Sequence, residues 1–241
     1  MTEQKLREDL THIHHIIKKY GWDDLLATHQ SIRLPNKKHI LITGIDIPFD
    51  QVTPNNLVKC DLDGRVVDNT EQIIMPQAKN IHCAIYQRMP EVNCVIHTHS
   101  QNAVAISCLK DGFTFTNQQS LRFYDEITYC DYTGLALEDE GEHIAHALGD
   151  KPICILRNHG ILIAAKNHYL ALYYLYYLEK CFDLQLKIMS VATADDLVPI
   201  PEPIKIKTKG QFKRIMTPEI EFKVLCEALN TENTSDNIVY E

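Results

Sequence analysis

The spacing of hydrophobic residues divides the chain into alternating helices and strands. Segments whose apolar residues recur every three or four positions are predicted helices, at residues 2–20, 77–89, 101–109, 138–148 and 167–189. Short apolar runs bounded by turn residues are predicted strands, at residues 31–33, 39–43, 57–60, 65–67, 94–99, 127–130, 153–156 and 161–165. Because the two kinds of segment alternate without a break, the sequence predicts a single α/β domain.

The pattern changes after residue 195. Three prolines at alternate positions, Pro199, Pro201 and Pro203, precede a cluster of basic residues, and this composition predicts an extended surface arm. One short helix is predicted at residues 217–229, and residues 231–241 are expected to be disordered. We therefore divide the chain into a main domain, residues 1–195, and a C-terminal arm, residues 196–241.

Composition narrows the classes of function. The chain has 24 basic and 32 acidic residues, a net charge of −8, which argues against nucleic acid as a partner. Its most apolar stretch, residues 169–178, is too short to span a bilayer, so no membrane association is expected. The N-terminus is polar, with no secretory signal, and none of the eight cysteines forms a Cys-x-x-Cys motif. We expect buried thiols in a cytoplasmic protein.

Residues 94–100 combine an apolar run with two histidines. Side chains alternate between the faces of a strand, so His97 and His99 share a face while Thr98 points away. Imidazole is the commonest zinc ligand in proteins, although two histidines at a strand end are also typical of ordinary polar surface. The pair alone is therefore weak evidence for a metal site.

A third histidine strengthens the metal hypothesis. His159 lies in the short turn between the predicted strands at 153–156 and 161–165. Three protein ligands leave a coordination position open for water or substrate, which is typical of catalytic zinc. The same neutral, open ligand set also suits iron. The sequence thus predicts a divalent metal bound by His97, His99 and His159, with zinc preferred and iron as the alternative.

Several motifs together resemble the class II aldolase/adducin family. They are PEVNCVIHTH at residues 90–99, DYTG at 131–134, LRNHGIL at 156–162 and THQSIRLP at 28–35, within a collinear resemblance from about residue 13 to 189. The resemblance implies a three-layer α/β/α sandwich around a largely antiparallel sheet. It also implies a homotetramer with sites near subunit contacts, and it places the family's metal-binding histidines at His97, His99 and His159.

The chain departs from the family's sugar-phosphate aldolases at two kinds of position. Those enzymes carry a glutamate that binds the metal and moves a proton, and Ala78 stands at its place. Their phosphate-binding positions correspond to residues 45–46, His29 and residues 76–77, where Asp46 would repel a phosphate dianion. These departures indicate an unphosphorylated substrate, and His29 resembles the adducin-like bacterial branch.

Without the glutamate, another group has to carry the proton. The candidates are His29, His82 and Tyr132. His82 is also typical of a hydrogen-bonded helix residue, since it shares a helix face with Tyr86, four positions on. Tyr132 is also typical of a residue that packs within a loop. The residues that bind the substrate are not identified by the sequence.

Three functions remain open at this point. The first is a metal-dependent lyase of the aldolase type, acting on a small, unphosphorylated hydroxy-carbonyl compound. The second is a non-catalytic, adducin-like binding or assembly module, which the missing glutamate favours. The third is a non-haem iron oxygenase or decarboxylase, which the open three-histidine ligand set favours. We rank them in this order.

Overall fold

A computed structural model describes residues 1–68 and 70–235. In this part of the chain the helices are α1 (Glu3–Lys19), α2 (Pro76–Arg88), α3 (Gln101–Ser107), α4 (Glu140–Leu148), α5 (His168–Met189), α6 (Glu202–Ile215) and α7 (Pro218–Ser235). The strands are β1 (His29–Arg33), β2 (His39–Thr43), β3 (Leu57–Asp61), β4 (Cys94–Thr98), β5 (Ile127–Cys130), β6 (Ile153–Leu156) and β7 (Gly160–Ala165). Apart from the strand predicted at residues 65–67, the helices and strands of residues 2–189 follow the predicted order.

The strands form one sheet in the order β3-β2-β1-β4-β7-β6-β5. Only β5 and β6 pair in parallel, and the other neighbours among these strands pair antiparallel. β4 lies at the centre, with His97 opposite His29 of β1 and opposite Leu162 of β7. The sheet therefore brings β1, β4 and β7, which are distant in sequence, side by side.

Apolar side chains on both faces of the sheet produce three layers. On β4, Cys94 and Ile96 belong to the larger apolar cluster, which includes residues of α1, α3, α5 and α7. Val95, between them, belongs to the second cluster, which includes residues of α2 and α4. This alternation is what a strand buried on both faces requires. The predicted α/β/α sandwich with a largely antiparallel sheet is confirmed.

Side-chain caps begin the helices that border the site. The Ser100 hydroxyl accepts the N–H of Ala103 at 3.1 Å, so α3 begins directly after the second histidine of the His-x-His motif. Asn167 caps α5 in the same way, accepting the N–H of Leu170 at 2.8 Å. These caps satisfy backbone donors that have no partner inside the helix.

Two predicted segments differ in the structure. Residues 65–67 do not form a strand, because only Val66 pairs, in an isolated bridge to Cys60. The extended arm is also wrong for residues 202–215, which form α6. Pro201 and Pro203 lie at the N-cap and in the first turn, where the missing N–H costs no helical hydrogen bond. These prolines begin a helix instead of preventing one.

The last helix is longer than predicted. α7 extends from Pro218 to Ser235, so the expected end of the helix at residue 229 is wrong. The expected disorder of residues 231–241 stays a prediction, and residues 236–241 lie outside the described residues. The division of the chain into two domains at residue 195 stays a prediction.

The structure also shows the state of the cysteines and the character of the helices. Six of the eight cysteines are buried, and all eight are free thiols. Among the described residues, no helix combines the length and the apolar character needed to cross a bilayer.

Candidate metal centre

Three histidine side chains converge where β4 and β7 meet. His97 is on β4, His99 follows the end of that strand, and His159 lies in the turn that leads into β7. The Nε2 atom of His99 is 2.8 Å from Nε2 of His97 and 2.8 Å from Nε2 of His159. One nitrogen from each ring lies within 4.8 Å of the others, which is close enough for a single ion to contact all three.

The turn that carries His159 is held in one conformation. Asn158 has a φ of 58°, in the left-handed region that asparagine tolerates better than most residues. A Cβ atom on Gly160 would lie 2.5 Å from the Thr98 carbonyl oxygen, so only glycine permits this approach of β7 to β4. The N–H of His159 donates to the Ser107 hydroxyl at 3.1 Å. The third histidine is therefore fixed by backbone contacts on both sides.

Hydrogen bonds at the far ring nitrogens determine how two of the histidines are protonated. Nδ1 of His97 donates to the Ile161 carbonyl at 2.8 Å, because a carbonyl can only accept. Nδ1 of His99 lies 3.2 Å from Oδ2 of Asp24 and donates to that carboxylate. A neutral ring protonated at Nδ1 has a lone pair at Nε2. Such carbonyl and carboxylate partners are typical of metal-binding histidines.

These protonation states fit a cation at the centre. Two Nε2 lone pairs face each other at 2.8 Å between His97 and His99, and two acceptors repel unless a positive charge lies close to both. Burial lowers the pKa of His97 well below its ordinary value and lowers the pKa of His159 to about 4. Both rings are therefore neutral near pH 7. The donor set of three neutral imidazoles suits zinc and similar divalent ions.

A cavity of about 310 Å³ opens from the three histidines. His29 lines it on one side, with its ring centroid 4.9 Å from that of His97. Tyr132 lines it on the other side, with its ring centroid 6.3 Å from that of His159, and its side chain is half exposed. Two of the predicted proton carriers therefore line the same cavity as the three histidines.

The third predicted proton carrier lies behind the residues that line the cavity. His82 is fully buried on α2 and does not line the cavity. Its Nε2 atom is 2.8 Å from Nδ1 of His29. Burial lowers the pKa of His82 to about 3. His82 thus reaches the cavity only through His29.

The structure also shows where the residues lie that differ from those of the sugar-phosphate aldolases. Ala78 is buried in the apolar cluster under α2 and offers no polar atom. Asp46 is exposed and does not line the cavity. The lining includes Gln77 but contains no lysine or arginine within the described chain.

Some polar residues around the centre were not identified from the sequence. Asp24 lies in a loop and carries no motif, so its contact with His99 had no sequence signal. Ser31 and Tyr86 join His82 in a buried hydrogen-bonded group. The spacing of His82 and Tyr86 showed their common helix face, but the strand that completes the group follows only from the fold.

Comparison with known proteins gives one family. The model of the "Class II Aldolase and Adducin N-terminal domain" matches residues 8–186. A Caulobacter vibrioides protein named after the class 2 aldolases is 33% identical over 212 residues, covering 87% of this chain and 82% of that protein.

Solved structures of class II aldolase proteins are also similar to this chain. An aldolase II superfamily protein from Pseudomonas syringae is similar with a TM-score of 0.90 and 33% identity, covering 96% of this chain and 94% of its own. The L-fuculose 1-phosphate aldolase from Glaciozyma antarctica PI12 is similar with a TM-score of 0.85 and 26% identity, covering 97% and 91%. The similarity in both cases spans nearly the whole chain.

Proposed function

The chain belongs to the class II aldolase and adducin family, and we propose that it is a metal-dependent lyase of the aldolase type. Its substrate in this proposal is a small, unphosphorylated hydroxy-carbonyl compound. The observation that carries the proposal is the convergence of three neutral histidines at a cavity that His29 and Tyr132 also line.

The metal in this proposal is held through Nε2 of His97, His99 and His159. A divalent ion there would supply Lewis acidity that polarises the carbonyl group of the substrate. Zinc is our first choice, because three neutral nitrogen ligands are typical of catalytic zinc. Iron is the alternative, and metal analysis after anaerobic purification distinguishes the two.

His29 is the proposed proton carrier. In the cleavage direction the substrate hydroxyl loses its proton and becomes a carbonyl as the carbon–carbon bond breaks. The electrons of that bond go to the carbon next to the other carbonyl group, and this carbon then takes up a proton. His29 lines the cavity, and burial keeps its ring neutral by lowering its pKa well below the ordinary value. His82 orients His29 from behind, and Tyr132 offers a hydroxyl at the mouth of the cavity.

The lining of the cavity supports an unphosphorylated substrate. Phosphate dianions are bound in proteins by arginine, by lysine and by free N–H groups at helix N-termini. Arginine and lysine are absent from the described lining, and Pro76, at the first position of α2, has no N–H to donate. The described lining therefore lacks the cationic partners of a phosphate group, and the N-terminus of α2 offers one N–H fewer.

Turnover of a matched pair of substrates tests the proposal. We expect zinc-loaded protein to cleave L-fuculose, or another unphosphorylated ketose, with a higher kcat/KM than the corresponding 1-phosphate. Replacing His29 by asparagine is expected to lower kcat about 100-fold or more. A preference for the phosphate ester would contradict the substrate class, and undiminished turnover by His97→Ala would contradict the metal mechanism.

We also propose that the protein is a homotetramer in the cytoplasm. Large apolar side chains, those of Leu25, Leu135 and Leu137, are more than half exposed, and Leu135 lines the cavity. Such apolar patches are typical of interfaces between subunits. The solution mass measured by light scattering is expected to be four times the 27.7 kDa of one chain. A mass of 27.7 kDa would contradict the tetramer.

The second candidate function is a non-catalytic, adducin-like module. Ala78 favours it, because no other carboxylate lines the described cavity in place of the family glutamate. The substrate experiment discriminates the two functions. Turnover of any aldol substrate by metal-loaded protein excludes the module, whereas a metal-loaded protein that turns over no such substrate supports it.

A further inference from the structure

Four buried polar side chains form one chain of hydrogen bonds behind the metal centre. His29 and Ser31 lie on the same face of β1, and His82 and Tyr86 lie on the facing side of α2. Nδ1 of His29 is 2.8 Å from Nε2 of His82, and Nδ1 of His82 is 2.5 Å from the Ser31 hydroxyl. The Ser31 hydroxyl is 2.8 Å from the Tyr86 hydroxyl. All four residues are less than 5% exposed.

One contact at the end of this series of hydrogen bonds determines which group donates in each of them. The Tyr86 hydroxyl lies 3.0 Å from the Ser31 backbone carbonyl, and it has to donate there because a carbonyl only accepts. The one hydroxyl proton of Tyr86 is then donated to this carbonyl, so Tyr86 can only accept from Ser31. The Ser31 hydroxyl therefore donates to Tyr86 and not to His82. His82 consequently donates from Nδ1 to Ser31, and its Nε2 atom accepts from Nδ1 of His29. A neutral His29 protonated at Nδ1 has an unprotonated Nε2.

We propose that Ser31 and Tyr86 are positioning residues that hold His29 in the Nδ1-protonated form and so present its Nε2 lone pair to the cavity. The role of His29 as proton carrier rests on the proposed function, whereas the protonation pattern rests on the hydrogen bonds alone. The opposite direction of the chain would place an N–H at Nε2 of His29, and that ring would then be unable to accept a proton.

The surroundings of Tyr86 support a fixed direction. The guanidinium of Arg33 lies 4.7 Å from the centre of the Tyr86 ring and also donates to the Tyr86 backbone carbonyl. Arg33 therefore holds both the ring and the backbone of Tyr86 in place. No carboxylate hydrogen-bonds to any of the four residues in the described structure, so no acidic group is available to reverse the chain by taking its protons.

Two-bond ¹⁵N–¹H correlation spectra of the histidine rings test the proposal, because they report which ring nitrogen carries the proton. The spectra are recorded for zinc-loaded protein and again for protein without added metal. In the wild type we expect both His29 and His82 to be protonated at Nδ1. In Tyr86→Phe the Ser31 hydroxyl loses its acceptor and turns to His82. We therefore expect both rings to change to the Nε2-protonated form in that variant.

Two further variants separate this effect from a general disturbance. Ser31→Ala removes the acceptor of His82 Nδ1–H, so we expect a mixture of both protonated forms at His82. Tyr174→Phe removes a tyrosine hydroxyl from the opposite side of the sheet and is expected to leave both rings as in the wild type. We expect kcat of Tyr86→Phe to fall about 100-fold with its metal content unchanged.

The outcomes distinguish the inference from the proposed function. A wild-type His29 protonated at Nε2 overturns the inference whatever the turnover, and so does a Tyr86→Phe spectrum identical to the wild type. If Tyr86→Phe does not fold, the wild-type spectrum alone decides. A wild type with the expected spectrum but no turnover of any aldol substrate upholds the inference and contradicts the lyase.

Discussion

Glu179 is a buried carboxylate on α5, next to the segment that carries the proposed metal-binding histidines. Its Oε1 atom accepts a hydrogen bond from the Ser100 hydroxyl at 2.6 Å, and Ser100 directly follows His99. Its Oε2 atom has no hydrogen-bond partner in the described structure. Burial raises the pKa of Glu179 from its ordinary value of 4.5 to about 7, while the Ser100 hydrogen bond lowers it in part. Ionisation of this residue therefore disfavours the folded state.

The pH dependence of stability tests this property of Glu179. Because its pKa is higher in the folded than in the unfolded chain, its contribution to stability is complete below pH 4.5 and is lost as the pH rises through about 7. Glutamine cannot ionise, so Glu179→Gln is expected to be less sensitive to this rise in pH than the wild type. The difference approaches about 3 kcal/mol at alkaline pH. Urea unfolding across this range measures it.

An exposed glutamate provides the control. Glu142→Gln, on the surface of α4, is expected to follow the wild-type pH curve. If Glu179→Gln follows that curve as well, Glu179 is ionised in the folded protein at neutral pH, and the account of its burial is wrong.

The sequence predicted those residues of the proposed site that lie close together in the chain or within a motif. His97 and His99 followed from strand alternation, and His159 from its place between two apolar runs. The contact between Asp24 and His99 could not be predicted, because a loop residue 75 positions away has no periodicity that places it. Ser31 was visible only as one polar residue of a strand.

Among the elements, the β6–β7 turn packs closely against the backbone of β4. Gly160→Ala places a Cβ atom 2.5 Å from the Thr98 carbonyl oxygen, a backbone atom that cannot move without disturbing the pairing of β4 and β7. We expect the free energy of unfolding to fall by about 3 kcal/mol. Bound zinc is expected to fall as well, because His159 precedes this residue. Chemical denaturation and metal analysis of the variant measure both effects.

Gly21→Ala is the matched control for the turn. Gly21 also has a positive φ, of 66°, but a Cβ atom there meets nothing within 4 Å. The variant is expected to lose only about 1 kcal/mol, from backbone strain, and to retain its metal. Equal losses of unfolding free energy in the two variants would show that the contact with Thr98 does not limit the residue at position 160.

Helix α6 was the element that composition predicted wrongly. Its prolines and lysines resemble a surface arm, but Phe212 buries its ring against the Arg122 guanidinium, which lies 4.0 Å from the ring centre. Arg122 stacks on Tyr177 of α5 as well, at 3.9 Å. A local pattern could not reveal this contact, because Arg122 lies 90 residues before Phe212 in the chain.

Gly210 tests the helical state of α6. It lies within the helix, it is exposed, and a Cβ atom there meets nothing within 4 Å. Alanine loses less conformational entropy in a helix than glycine, so Gly210→Ala is expected to stabilise the protein by about 0.5 to 1 kcal/mol. Thermal unfolding monitored by circular dichroism measures the change. An unchanged or lower Tm would favour an extended arm.

In the molecule as a whole, the site is a product of the sheet order. The order places β1, β4 and β7 side by side, although the chain passes through β2, β3, β5 and β6 between them. Alternation in the sequence predicted each strand but not which strands become neighbours. The resemblance to the family supplied the three-layer architecture, and the similarity of solved structures agrees with it. The position of His29 opposite His97 follows from the register alone.

We propose that His97, His99 and His159 form one metal centre, and the metal content of the protein is the direct measurement of this claim. Purified protein is incubated with zinc, freed of excess ion and analysed by mass spectrometry, together with the three single alanine variants. His146→Ala, an exposed histidine on α4, is the control. We expect about one zinc per chain in the wild type and control, and little in any of the three variants. Zinc retained equally by all three variants, or absent from the wild type, would contradict the claim.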